Sequence, residues 1–116
     1  MSERSNDAHD DGTTLVVGLG KTGLACVRYL RGLGRRVAAV DSRAEPPALA
    51  AVSEEFPEVP VTLGGFFPYA FENVSEIVVS PGVSLSEPAL ERALAEQIAV
   101  YGDIELFARA VGTTPV

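Results

Sequence analysis

Apolar residues fall along this chain in short unbroken runs, separated by stretches in which they recur every three or four positions. The runs Thr14 to Val17, Val37 to Val40, Val59 to Leu63, Ile77 to Val79 and Ile98 to Tyr101 do not alternate with polar residues. That is the pattern of strands covered on both faces. The intervening stretches read as helices: Lys21 to Leu33, closed by Gly34; Pro47 to Glu55; a short or irregular piece around Phe66 to Glu72; and Glu87 to Glu96. In the last, Ser86 can cap the start, Pro88 is tolerated in the first turn, and Leu90, Ala93, Leu94 and Gln97-Ile98 form one stripe at helical spacing. Strand and helix alternate without repeats or low-complexity linkers, which implies βαβ units. The expectation is a Rossmann-like α/β fold: a doubly wound parallel sheet of five strands in the order 3-2-1-4-5, with helices on both faces.

In such a sheet, ligands bind outside the carboxyl ends of the strands, where the order reverses beside strand 1. The unusual residues fall there. Gly18-Leu19-Gly20-Lys21-Thr22-Gly23 follows strand 1 and opens a helix. Its glycines suit a tight turn (Gly18), close backbone approach to a phosphate (Gly20) and close packing of helix on strand (Gly23). The helix N-terminus adds unpaired N–H groups and a partial positive charge. Asp41 ends strand 2 at about the offset of a ribose or base acceptor. Asp41-Ser42-Arg43, Ser80-Pro81-Gly82 and Gly102-Asp103 complete the set, and one extended nucleotide can touch the first two and the glycine turn together.

Each feature also has a purely structural reading. Ser80-Pro81-Gly82 is a good turn sequence. Arg43 and Lys21 serve equally as solvated charges, although Lys21 opposes the helix dipole unless an anion is near. Asp103 suits the N-cap of a closing helix from Ile104 to Ala110. The aromatic cluster Phe66, Phe67, Tyr69 and Phe71 reads first as loop packing on the core. Cys26 is the single cysteine, so an intrachain disulfide is excluded, and it reads as a small apolar core residue. His9, beside Asp10 and Asp11, lies in a polar tail and lacks the pre-positioned partners of a metal site.

The 116 residues fit one domain with a real core. With 47% hydrophobic and 22% charged residues, the composition is that of a globular protein, and no apolar run nears the roughly 20 residues of a membrane span. Residues 1–12 are polar, without the apolar segment of a secretory signal, and read as a flexible tail on a cytoplasmic protein. The net charge of −7 disfavours nucleic acid and anionic membranes as partners. A small anionic ligand remains compatible, because local N–H groups decide its binding.

The segments GLGKTG (18–23), Asp41-Ser42-Arg43, Val79-Ser80-Pro81-Gly82 and Gly102-Asp103-Ile104-Glu105-Leu106-Phe107 resemble, in order and spacing, the N-terminal domain of the D-glutamate-adding Mur ligases, the UDP-N-acetylmuramoyl-L-alanine:D-glutamate ligase family. The resemblance runs from about Thr13 to Val116. It implies a domain, residues 13–112, that holds the UDP end of UDP-N-acetylmuramoyl-L-alanine during peptidoglycan synthesis, and with it a part in cell-wall biogenesis, cell shape and division. Gly18, Gly20 and Gly23 would shape the turn, and Lys21 and Thr22 would meet the diphosphate and the edge of the uracil. Asp41 and Ser42 would hydrogen-bond the uracil, and Arg43 would pack against it. Ser80, Pro81 and Gly82 would close the other side of the diphosphate.

The family continues into an ATP-binding domain with a GTNGKST-like loop, and no such sequence occurs here. Residues 113–116 accordingly read as the start of a linker to central and C-terminal ligase domains. ATP and Mg2+ are implied for the whole enzyme, with no cofactor or metal on this segment, no catalytic residue in it, and no ligase activity from it alone. Two other readings of the same turn stand open: an NAD(P)-binding Rossmann module, with Asp41 on the adenosine ribose, and a nucleotide-sensing regulatory domain.

Overall fold

In a computed structural model the described residues are 12–81, 83, 87–102 and 105–106. The tail through residue 11, Gly82, Ser86, Asp103, most of the closing segment 104–110 and the segment 113–116 lie outside them. Five strands, β1 (Thr13–Val17), β2 (Arg36–Asp41), β3 (Val61–Leu63), β4 (Val74–Val79) and β5 (Ala99–Gly102), form one sheet in the order β3-β2-β1-β4-β5, and every pairing is parallel. Fold class and strand order are those expected from the apolar runs. β1 is central, with Val17 opposite Val40 on one side and Val79 on the other, so three strands end level at one edge of the sheet.

Helices α1 (Lys21–Gly32), α2 (Leu49–Glu55) and α3 (Pro88–Ala95) and a 3-10 turn at Pro68–Phe71 connect the strands. Because strand side chains alternate faces, β1 serves two cores. Val16 packs with Cys26, Val27 and Leu30 of α1 and Val52 of α2, whereas Leu15 and Val17 pack with Ile77, Val79 and the α3 residues Leu90 and Ala93. Cys26 is buried among apolar neighbours. Thr14, the polar member of β1, is also fully buried. Its hydroxyl donates to Glu76 Oε2 (2.8 Å) and accepts from Arg35 Nη2 (3.1 Å), while Arg35 Nη2 donates to the same Glu76 oxygen (3.0 Å), so the group is satisfied.

Several element ends differ from the expected ones for local reasons. β3 begins at Val61, because Pro60 has no N–H for a ladder, although its carbonyl still accepts from Ala39 N (2.9 Å). α2 begins at Leu49, after a turn in which Leu49 N donates to Pro46 O (3.1 Å). α1 ends in a Schellman arrangement: Arg35 N donates to Leu30 O and Gly34 N to Arg31 O, with Gly34 at φ +81°. α3 ends the same way, Ile98 N to Ala93 O and Gln97 N to Leu94 O, but the left-handed position is Gln97 at φ 67°. Leu94 departs from the expected stripe: it is 50% exposed, beyond the buried pair Leu90 and Ala93.

Candidate functional site

The glycine turn is built by the strand before it and the loops on either side. Gly18 continues the β1–β2 ladder, its N–H donating to Val40 O (2.8 Å), and then turns at φ +102°, where a side chain is strained and would also meet Ser80. Leu19 points into the core, fully buried, and its carbonyl accepts from Ala48 N (2.9 Å). Gly20 is the N-cap of α1 and offers no side-chain cap, and there is no acidic residue in the first helical turn. Among the described residues, no side-chain cap and no acidic residue of the first turn compensates the first amides of α1 and the positive end of its dipole. Gly23 lies beneath the turn rather than in it: a Cβ there would stand 2.0 Å from Gly18 O.

Asp41, at the end of β2, locks this turn to the next loop. Its side chain is only 3% exposed. Oδ2 accepts from Leu19 N (2.7 Å) and Arg43 Nη2 (2.7 Å), and Oδ1 accepts from Arg43 N (2.8 Å) and Arg43 Nε (2.9 Å). Burial on its own raises this carboxyl, but the Arg43 guanidinium and the Leu19 and Arg43 N–H groups outweigh it and hold the group at about 2, below the ordinary 3.8. A carboxylate has about four acceptor sites, and these four bonds use them. A ligand N–H reaches Asp41 only by displacing one of the bonds from Arg43 or Leu19. Arg43 itself remains 54% exposed, with Ser42 exposed beside it.

Ser80 closes the opposite side. Its N–H donates to Val17 O (3.0 Å), its hydroxyl to Gly18 O (3.1 Å), and its carbonyl accepts from Val83 N (3.0 Å). Between these segments lies a cleft of about 500 Å³, beside β1 where the strand order reverses. It is lined by Gly18, Gly20, Lys21 and Thr22 of the turn, by Asp41, Ser42 and Arg43, and by Ser80 and Pro81. The structure thus brings together the residues expected at the nucleotide site, except Gly23, which packs the helix from below, and Gly82, which lies outside the described residues; of the Gly102-Asp103 pair, Gly102 lines a separate hollow with Val79 and Leu94, and Asp103 also lies outside the described residues. Phe66 and Val83 also line the cleft and were not among the expected site residues. For Phe66 the available signal was the aromatic cluster in a loop between strands.

A larger cavity, about 660 Å³, lies between the 3-10 turn and α3, away from the glycine turn, and includes Glu72, Glu87 and Glu96. Among the described residues no cluster of His, Cys, Asp or Glu is placed to hold a metal ion, and no helix is long and apolar enough to cross a membrane.

Parallel order β3-β2-β1-β4-β5, a glycine turn at the reversal point and a cleft above it define a Rossmann-like doubly wound α/β domain. The chain belongs to the family of Mur ligase MurD-like N-terminal domains, whose family model matches residues 12–102. It is 53% identical over 100 residues to the UDP-N-acetylmuramoylalanine--D-glutamate ligase of Marinobacter nauticus, an alignment covering 86% of this chain and 22% of that protein. It is 50% identical over 99 residues to the ligase of the same name from Nitrosococcus oceani, covering 85% of this chain and 22% of that one. The chain therefore spans about a fifth of the length of these relatives. The crystal structure of the UDP-N-acetylmuramate-alanine ligase MurC from Thermotoga maritima shares the fold, with a TM-score of 0.69 at 17% identity over 87% of this chain and 23% of that one.

Proposed function

We propose that this chain is the substrate-holding N-terminal domain of an ATP-dependent ligase that adds D-glutamate to UDP-N-acetylmuramoyl-L-alanine in peptidoglycan synthesis in the cytoplasm. The observation that carries the reading is the convergence of Gly18 to Thr22, Asp41 to Arg43 and Ser80-Pro81 on one cleft, in a chain half identical to ligases of that name. The amides of the α1 N-terminus hold the diphosphate, with Lys21 and Thr22 at its edge. Ser80, Pro81 and Gly82 bound it from the β4 side. Ser42 and Arg43 meet the uracil, and Asp41 joins them by exchanging the bond it now accepts from the Arg43 backbone N–H. The domain occupies residues 13–112, with 113–116 leading onward.

This chain's part in the reaction is binding and orientation: it anchors the nucleotide end so that the alanyl carboxylate is presented elsewhere. The chain has no GTNGKST-like loop to cradle the phosphates of ATP and its Mg2+. Those groups belong to the remaining domains of such a ligase, and the segment alone is inactive. D-glutamate-dependent ATP hydrolysis by the pure chain would contradict that.

The binding reading is tested by thermal unfolding with UDP-N-acetylmuramoyl-L-alanine, NAD, NADP and ATP in parallel. A ligand at ten times its Kd adds about 1.4 kcal/mol, or roughly 6–11 °C in a domain of this size. Stabilisation by the UDP ligand is expected; stabilisation by NAD or NADP in its place assigns the cleft to a dinucleotide.

A further inference from the structure

The aromatic cluster is the sequence feature that the proposed function leaves without a task, and its members separate in the structure. Phe67 and Tyr69 stack on each other, centroids 5.4 Å apart and planes 3° from parallel, and both are exposed. Phe71 packs against the core layer beside α3. Phe66 is the member that lines the glycine-turn cleft, and it also lines the larger cavity beside α3. Its half-buried ring, packed on the Leu15, Val17 and Ile77 layer, is therefore the partition between the two spaces.

The chain fixes that position through its backbone. Gly64, just past β3 at φ +89°, donates its N–H to both Asp41 O (3.1 Å) and Arg43 O (3.2 Å). This fastens the residues before Phe66 to the loop that carries Arg43. The Arg43 guanidinium is in turn held in one plane by its Nε and Nη2 bonds to Asp41. Two flat groups, the Arg43 guanidinium bonded to Asp41 and the Phe66 ring packed on the core, thus line the same cleft, and Phe66 belongs to the sheet face that α3 covers, opposite α1.

A glycine turn and a helix N-terminus recognise a diphosphate whatever it is attached to. Selection of a nucleotide needs a flat apolar surface in addition, because stacking on a planar side chain is what a base offers beyond its phosphates. We infer that Phe66 is a specificity-determining wall of the cleft, its ring packing on the nucleobase of a uridine diphosphate and so favouring nucleoside diphosphates over bare phosphates. This rests on the reading of the cleft as the UDP site.

The test is a titration of the 116-residue chain, wild type and Phe66→Ala, with UDP and with inorganic pyrophosphate, followed by amide resonances. Phe66→Ala is expected to weaken UDP roughly tenfold, within the span of about 5- to 150-fold that loss of one base stack gives, and to leave pyrophosphate unchanged. Phe66→Trp, which keeps a flat face, retains UDP. Should the alanine variant fail to fold, Phe66→Leu, apolar but without a flat face, shows the same split. Equal weakening of both ligands, or no change in UDP, overturns the role given to Phe66. A wild-type chain that takes pyrophosphate but not UDP, or neither, overturns the UDP reading of the cleft itself.

Discussion

Replacing Gly23 by alanine sets helix propensity against packing. Alanine is the better helix former by about 1 kcal/mol, so propensity alone predicts stabilisation. Packing predicts the reverse. The added Cβ would stand 2.0 Å from Gly18 O and 3.0 Å from Gly18 C, both backbone atoms that no rotamer change can remove. Ordinary carbon contacts lie at roughly 3.5–4.0 Å, so α1 and the turn must part by on the order of 1 Å. That movement disturbs the Leu24 N to Gly20 O bond (3.0 Å) and the seating of Cys26, Val27 and Leu30 on Val16. Overpacking of this kind costs about 1–3 kcal/mol, and the rigidity of both partners places Gly23→Ala near the upper end. At about 4–8 °C per kcal/mol for a domain of this size, Tm falls by roughly 10–20 °C. Gly32→Ala is the internal control, in the last turn of the same helix, where an added Cβ meets nothing within 4 Å. It is expected to raise stability by up to about 1 kcal/mol. Thermal and urea unfolding of the three proteins read both signs, and a Gly23→Ala protein as stable as wild type would refute the packing account of the turn.

Asp41 makes the protein acid-sensitive in a defined window. Its carboxyl is held at about 2 when folded against an ordinary 3.8, so its contribution is fully present above about pH 4 and is lost as pH falls through about 2. Urea midpoints of wild type and Asp41→Asn should converge over that interval; a constant gap from pH 5 to pH 2 would contradict the assignment. Gln97 ends α3 in the left-handed region at φ 67°, where a side chain costs roughly 1 kcal/mol or more. Gln97→Gly should therefore raise Tm by several degrees, and an unchanged or lower Tm in calorimetry would show that the Gln97 side chain makes compensating contacts.

The fold was legible in the sequence because its determinants are local. Unalternating apolar runs at Leu15 to Val17 and Ile77 to Val79 signal strands covered on both sides, and the glycine turn announces where the first helix begins. Local detail was less legible: Pro60 shortens β3, and Leu94 lies exposed beyond the buried pair Leu90 and Ala93. The segments after β1, β2 and β4 meet at the cleft as topology implies, whereas Gly102, after the edge strand β5, lies outside it. What did not follow was how those residues spend their bonding capacity. The saturation of Asp41 depends on the amide of Leu19, 22 residues away, and on the path of the Arg43 side chain. Phe66 lines the cleft two residues after Gly64 bonds back to the β2 loop, a long-range contact that no periodicity encodes.

The cleft beside β1 is proposed to hold the UDP end of a peptidoglycan precursor. The most direct test of that assignment is an amide-NMR titration of the chain with UDP-N-acetylmuramoyl-L-alanine, with NAD in parallel. Shifts concentrated at Gly18 to Gly23, Asp41 to Arg43 and Ser80 are expected with the UDP ligand only. Shifts at those residues with NAD alone, or UDP-ligand shifts confined to the cavity between the 3-10 turn and α3, would contradict it.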